Sequence, residues 1–317
     1  RYNLVRLLRS RNKIALTGTP FENNTYDIYG QLSFACPGLL GTKTYFKNIY
    51  SNPIDHHEDG GKSNRLQRII HPFVLRRTKQ QVAQELPEKT EMVLYCEMGP
   101  VQRKLYDDAA AEVREMLLHK NSKKRSENIS KPAMYFLKGL TKLRQICDSP
   151  NILKDGNLEG EVSSKIEVLM EQITSKSAQH KILVFSQFVS MLDLIKKELE
   201  AHNIPFAYLT GQTKNRAETV NLFQGNDTVR VFLISLKAGG IGLNLTEAEY
   251  VYLVDPWWNP AVENQAIDRC YRIGQKKNVV AVKLICPGTV EEKIMLLQEK
   301  KFRLGSELIR TDEEILK

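Results

Sequence analysis

The chain has 317 residues, with 46 Lys plus Arg against 37 Asp plus Glu, and so carries a net charge of +9. Its length suits about two domains of roughly 100–200 residues. Its 42% hydrophobic and 26% charged content is that of globular proteins, which excludes wholesale disorder and collagen-like or coiled-coil architectures.

In chain order, a helix over Tyr2–Leu8 opens a sequence whose first residue is Arg1 rather than an initiator Met, which suggests a piece of a longer protein. An apolar run, Lys13–Thr17, then predicts a strand, followed by turn signals at Pro37-Gly38, Pro53 and Gly60-Gly61. One α/β strand cannot make a sheet, so residues 1–95 are expected to be the tail of a preceding domain. Two helices, Pro100–His119 and Lys131–Ile146, flank a polar run over Lys120–Ser130, and 96–160 is assigned as a helical insertion and linker. From Ser164 helices alternate with short apolar strands. The helices are Lys165–Ile173, Met191–Ala201, Lys214–Phe223 and Ala261–Tyr271. The strands are Ile182–Phe185, Phe206–Leu209, Val229–Ile234, Tyr250–Val254 and Val279–Ile285. This alternation predicts an α/β fold, a parallel sheet covered by helices on both faces, over 161–288, with a last helix from Val290 in a C-terminal brace over 289–317.

Nothing approaches the ~18 consecutive apolar residues of a membrane span, and the start lacks the form of a signal peptide. The five cysteines, Cys36, Cys96, Cys147, Cys270 and Cys286, are scattered without a CxxC pair, so no disulfide framework or zinc cage is expected, and a reducing compartment is.

The informative blocks sit at strand ends. They are Leu16-Thr17-Gly18-Thr19-Pro20, Ser186-Gln187-Phe188, Leu209-Thr210-Gly211, the run from Ser235 through Lys237, Gly239, Gly240, Gly242 and Asn244 to Thr246, Asp255-Pro256-Trp257-Trp258-Asn259-Pro260, and Gln265-Ala266-Ile267-Asp268-Arg269-Cys270-Tyr271-Arg272-Ile273-Gly274-Gln275. Ligands of parallel α/β sheets bind at carboxyl ends of strands, where small hydroxyls and amides can donate to phosphate oxygens. Arg269 and Arg272, three apart on an expected helix, would project from one face as two permanently charged forks suited to a triphosphate. The plainer alternative is surface arginines paired with Glu263 and Asp268.

Two phosphate motifs fail. Gly240 and Gly242 start a dinucleotide fingerprint, but position 245 is Leu. Gly60-Gly61-Lys62-Ser63 lacks the Walker glycine, because position 56 is His, and reads as a flexible loop. The neighbouring Asp55-His56-His57-Glu58-Asp59 invites a metal, yet adjacent loop histidines usually point apart, and no metal residue is assigned. Lys62–Lys79 holds six Lys or Arg and no acid, and Lys123–Arg144 holds seven against Glu127 alone. Such runs are usually solvated faces, but in a basic chain they also fit a phosphate-tracking surface.

In order and spacing these blocks resemble motifs III, IV, IVa, V, Va and VI of the SWI/SNF-type DNA translocases of helicase superfamily two. Pro72-Phe73-Val74-Leu75-Arg76-Arg77-Thr78-Lys79 resembles the block before that family's helical insertion. Phe21-Glu22-Asn23 and Pro37-Gly38-Leu39-Leu40-Gly41 look closer to the bacterial members. The resemblance implies two RecA-like lobes, the first only partial over 1–95 and the second over 161–288. It makes Arg269 and Arg272 the arginine fingers and places Gln265, Asp268, Gly240 and Gly242 at the nucleotide. It places Thr17, Gly18, Thr19, Arg76, Arg77, Ser186, Gln187, Gly211, Lys237, Asn244 and Trp258 along duplex DNA. ATP with Mg²⁺ would be held mainly by the part of the first lobe that is not in this sequence, since neither a Walker lysine nor an Asp-Glu pair stands upstream of Thr17, so the chain alone is expected to have no ATP turnover. Expected partners are double-stranded DNA, the rest of the first lobe and a DNA-bound remodelling target, with no membrane. The expected location is the cytoplasm at the nucleoid, or the nucleus in a eukaryote. A non-catalytic DNA- or protein-binding module, or a strand-separating helicase or RNA-dependent ATPase of the same superfamily, are the competing readings. A dinucleotide oxidoreductase is a further alternative, against which the failed glycine fingerprint counts.

Overall fold

The computed structural model describes residues 2–18, 24–119, 130–153, 163–239 and 242–309. They fall into two compact units: residues 1–84 with 259–261 and 296–317, and residues 85–258 with 262–295.

The first unit is helical, with α1 (Tyr2–Arg6), α2 (Tyr26–Ala35), α3 (Lys43–Phe46), α4 (Asn52–His57), α5 (Gly60–Ile70) and α6 (Lys79–Val82). Its core is aromatic: Tyr29 and Phe46 lie 5.0 Å apart and Phe46 and Tyr50 5.6 Å apart. Ile28, Leu32, Ile54, Leu66 and Ile70 close around them. The expected strand Lys13–Thr17 is irregular and largely exposed, with Leu16 at 93%. A strand needs neighbours to take its backbone N–H and C=O groups, and among the described residues of this unit there is no strand. The Gly60-Gly61 segment, expected to be a flexible loop, is the first turn of α5. Asp59 accepts the Lys62 backbone N–H at 3.0 Å, an N-cap strong enough to carry two glycines, and Ser63, Leu66 and Ile70 then form the buried face.

The second unit begins with β1 (Lys89–Tyr95), followed by α7 (Pro100–His119), α8 (Ser130–Asp148), α9 (Ser164–Lys176), β2 (Ile182–Ser186), α10 (Val189–Ala201), β3 (Phe206–Leu209), α11 (Arg216–Gly225), β4 (Val231–Ser235), α12 (Leu236–Gly239), β5 (Tyr250–Leu253), α13 (Pro260–Ile267), β6 (Val279–Ile285) and α14 (Val290–Leu308). All strand pairs are parallel, in the order β1-β6-β5-β2-β4-β3. Successive side chains alternate between two cores, as strand geometry requires. Ile182, Val184, Val231, Leu233 and Tyr252 enter one core with Leu169, Ile173, Leu192 and Ile195 of α9 and α10. Leu183, Phe185, Phe232, Ile234 and Leu253 enter the other with Phe223 and Ile267.

Two expectations are corrected. Lys89–Tyr95, placed with the preceding domain at 1–95, is the edge strand of this sheet, paired in register from Lys89↔Val279 to Tyr95↔Ile285. Its first three residues, Lys89-Thr90-Glu91, are polar and its Met92 and Tyr95 are exposed, unlike the fully apolar run of a central strand. The helix expected over Ala261–Tyr271 stops at Ile267. Beyond it, Arg269 N donates to Ala266 O and Cys270 N to Ile267 O, both at 3.1 Å, tightened i→i−3 turns typical of a helix end.

Candidate functional site

The strands of the second unit deliver their carboxyl ends to one edge of the sheet, and the loops there carry most of the expected site residues. After β4 the chain passes through the short α12, whose Lys237 is exposed, and into Gly242 at φ +45°, a conformation that favours glycine. Asn244 follows, exposed between two tethered neighbours. Leu245 N donates to Arg269 O at 2.9 Å, and Arg272 Nη1 donates to Leu243 O at 3.2 Å. The glycine loop and the arginine turn are thereby one unit, although the two arginines do not share a helix. Gln275 fixes the far side of the turn, its Nε2 donating to Ala248 O at 2.9 Å and Cys270 O at 3.2 Å, and Gly274 makes the reversal at φ +101°.

Arg269 and Arg272 are both half-buried. Burial holds the Arg269 guanidinium below its ordinary pKa, the nearby Arg272 charge lowers it further, and Asp268 opposes both. An arginine remains charged through such a shift, so the turn concentrates positive potential at the strand ends, the electrostatics of an anion site. Gln265 is half-buried on the last turn of α13, one turn before Arg269.

The loops after β2 and β5 are joined differently. Ser186 is fully buried; its Oγ donates to Asp255 Oδ1 at 2.5 Å, so its hydroxyl is committed to the loop rather than turned to solvent. Gln187 N donates to the same carboxylate at 3.3 Å. Trp257 N donates to Glu263 Oε1 at 2.7 Å, which seats the loop on α13. Trp258 is half-buried, and Gly211, after β3, is exposed with open space around it.

In the first unit Thr17 and Gly18 are exposed and irregular, and Arg77 is exposed. Arg76 Nη1 donates to Ile309 O at 2.6 Å, so this guanidinium is bound within the unit just past the end of α14. Asp55, at the head of the histidine pair, accepts Thr25 Oγ1 at 2.5 Å and Ser51 Oγ at 2.8 Å. Thr19 and Gly240 lie outside the described residues.

Sequence reasoning missed two cations buried beside the strand-end loops. Lys165 Nζ donates to Asp148 Oδ1 at 2.9 Å, Glu291 Oε1 at 2.6 Å and Val254 O at 2.7 Å, with all three charged side chains fully buried. Burial disfavours its charge, but Asp148 and Glu291 outweigh that and hold the ammonium protonated. The node ties the end of α8, the start of α9, the end of β5 and the start of α14 together. Arg144, counted in the basic run and expected on a solvated face, is 3% exposed and reaches between the β2 and β5 loops. A lysine at the start of an amphipathic helix, between Ser163-Ser164 and Ile166, was the available signal for the first; spacing held none for the second.

Among the described residues, one group could offer three metal ligands: Cys147, Cys286 and Glu291, all buried. It does not fit Mg²⁺, a hard ion that keeps several waters. Burial also pushes the Cys147 thiol up, away from the thiolate a soft metal needs, and the Glu291 carboxylate already accepts from Lys165. No helix among the described residues is long and apolar enough to cross a membrane.

Comparison with known proteins agrees with this geometry. The SNF2-related domain family matches residues 1–152 and the helicase conserved C-terminal domain family residues 164–274. The Bacillus subtilis protein YwqA, whose name describes an ATP-dependent helicase/translocase, is 38% identical over 320 residues, 98% of this chain and 34% of that protein. The chain thus spans about a third or less of the length of the curated relatives it matches. The Sulfolobus solfataricus SWI2/SNF2 ATPase core, solved in complex with double-stranded DNA, is 37% identical with a TM-score of 0.55, over 97% of this chain and 64% of that one. The C-terminal domain of that ATPase is 34% identical with a TM-score of 0.54, over 71% of this chain and 92% of that one. A six-stranded parallel sheet and relatives matched across nearly the whole sequence establish that this chain belongs to the SNF2 family of ATP-dependent helicases.

Proposed function

We propose that this chain is the arginine-bearing half of an ATP-driven motor that moves along double-stranded DNA, with Arg269 and Arg272 as its fingers. The observation that carries the reading is the pair of hydrogen bonds joining the Leu243–Leu245 loop to the arginine turn, Leu245 N to Arg269 O and Arg272 Nη1 to Leu243 O. Phosphoryl transfer asks mainly for positioned positive charge around a γ-phosphate. A loop locked to that charge and presenting Lys237 and Asn244 outward would let nucleotide state alter the hold on a phosphate backbone.

ATP fits the residues present: two half-buried guanidinia on a fixed turn, with Gln265 and Asp268 beside them. Bound Mg²⁺–ATP would supply the phosphoanhydride and the metal that neutralises it; this chain's residues orient and stabilise, and the described residues offer Mg²⁺ no fitting cage. Residues 1–84 would continue into the rest of the first lobe, 96–160 would be the helical insertion, and 289–317 the brace. The duplex, rather than single strands, is favoured by the double-stranded DNA held by the Sulfolobus relative.

Arg269→Ala in the full-length parent is expected to lower DNA-stimulated ATP hydrolysis by ~10³–10⁵, while duplex affinity changes only a few-fold. Unchanged turnover would remove the finger assignment. The 317-residue chain by itself is expected to show no turnover, and a substantial rate abolished by the same substitution would overturn that expectation. Strand displacement by the parent, without triplex displacement, would favour the strand-separating reading.

A further inference from the structure

Arg144 sits on α8, in the expected helical insertion, yet its guanidinium lies among the loops that follow β2 and β5. Nη1 donates to Gln187 Oε1 at 3.0 Å and Nη2 to Pro256 O at 2.5 Å, with Asp255 Oδ2 at 3.7 Å from Nη2. Three rings enclose it: Phe188, Trp257 and Trp258, with centroids 5.6, 5.4 and 5.7 Å from Cζ. Four residues further along the same face of α8, Asp148 is fastened to Lys165, so the helix that presents Arg144 is anchored.

This arrangement is more than the neutralisation of a buried charge. Only a planar fork reaches a side-chain amide on one loop and a carbonyl on the other while stacking among aromatic rings, and a lysine has one nitrogen to offer. The two loops are also tied through Asp255, which accepts from Ser186 Oγ and Gln187 N. Asp255 holds the β2 loop by the Ser186 hydroxyl and the Gln187 backbone N–H, and Arg144 holds the same loop by the Gln187 side chain and the β5 loop by its carbonyl and rings.

We propose that Arg144 is a positioning residue for duplex binding: from the helical insertion it sets the Gln187 amide and the Trp258 ring in one register at the strand ends. This rests on the reading of Gln187 and Trp258 as part of a DNA track. The insertion would then be a mechanical member of the track, since any shift of α8 would move both loops together.

The test uses the 317-residue chain, a fluorescently labelled duplex at fixed low salt, and the intrinsic emission of Trp257 and Trp258, the only two tryptophans in the sequence. Arg144→Lys and Gln187→Ala are each expected to weaken duplex binding about 10-fold, the scale of one hydrogen bond to a charged group. The double variant should be little worse than either single one, because Arg144 acts through Gln187. Arg144→Lys should also shift the native tryptophan emission while melting cooperatively, which a change in stability alone would not do. Phe188→Leu opens one wall of the cage without touching a charge and should weaken binding about 3-fold; it keeps the proposal testable should Arg144→Lys fail to fold. Full affinity in Arg144→Lys with unchanged emission, full affinity in Phe188→Leu, or additive losses near 100-fold in the double variant would overturn the positioning role. Absence of duplex binding by the unsubstituted chain would instead sink the DNA-track reading, and the proposal with it.

Discussion

The two units of this chain solve different problems with different interiors. Among the described residues of the first, the buried polar groups are neutral: Thr25, Ser33, Ser51, Ser63 and Gln298. In the second, Arg144, Asp148, Lys165, Lys181, Asp255, Glu263 and Glu291 are all buried. An isolated buried charge is expensive, and even a buried pair often stabilises no more than a well-packed apolar substitute. The second unit therefore tolerates a cost that the first avoids, and most of these charges cluster where strands end and loops must be held in place. The contrast separates packing that only has to hold helices together from packing that also has to aim side chains.

The largest test of this contrast is Lys165→Met. Removing the ammonium leaves Asp148 and Glu291 buried without their cation, and the second unit should lose about 3–5 kcal/mol, read from urea unfolding followed by tryptophan emission. A loss below about 1 kcal/mol would show that the buried charges carry no structural weight.

Leu66→Ala asks the matching question of the first unit, where Leu66 is fully buried among aromatic rings and α-helices. A cost of about 2–5 kcal/mol is expected, visible as faster hydrogen exchange in peptides covering α2 and α5 while those covering β2 and β4 keep their protection. A smaller step is Asp59→Ala, which removes the cap on Lys62 N and should cost about 1 kcal/mol, measured the same way and confined to the start of α5. Smallest of all is Glu58→Gln. Its partner Lys300 lowers the Glu58 pKa through a hydrogen bond and its charge, but both side chains are more than half exposed. Solvent screening leaves such a pair little net value, so the melting midpoint should not move measurably. A clear drop would mean that surface charge matters to the first unit as buried charge does to the second.

Much of the second unit was legible because parallel strands buried on both faces must be short apolar runs. Ile182–Phe185, Phe206–Leu209 and Val279–Ile285 each appear within a residue of their observed limits. The arginine turn was legible as a block and wrong as a helix: Tyr271 and Gln275 are drawn into the interior and Gly274 reverses the chain. β1 was missed because an edge strand keeps one side open, and its polar start, Lys89-Thr90-Glu91, leaves only the short run Met92–Tyr95. Lys13–Thr17 erred in the other direction, an apolar run with no described strand beside it in its unit. Ser186 and Arg144 show the limit at the site itself, since a hydroxyl expected along duplex DNA and a guanidinium counted in a basic run are both turned inward.

Local order along the chain pointed to the family and to the parallel α/β sheet, because strand-end motifs and short apolar runs are properties of neighbouring residues. The tertiary structure alone decided which charges are solvated and which are structural. Lys165 and Arg144 look in sequence like any other lysine and arginine, and what distinguishes them is the set of carboxylates, carbonyls and rings that residues from 17 to 126 positions away bring to their side. Burial is set by such distant neighbours, and for a charged group burial fixes both its energy and its role.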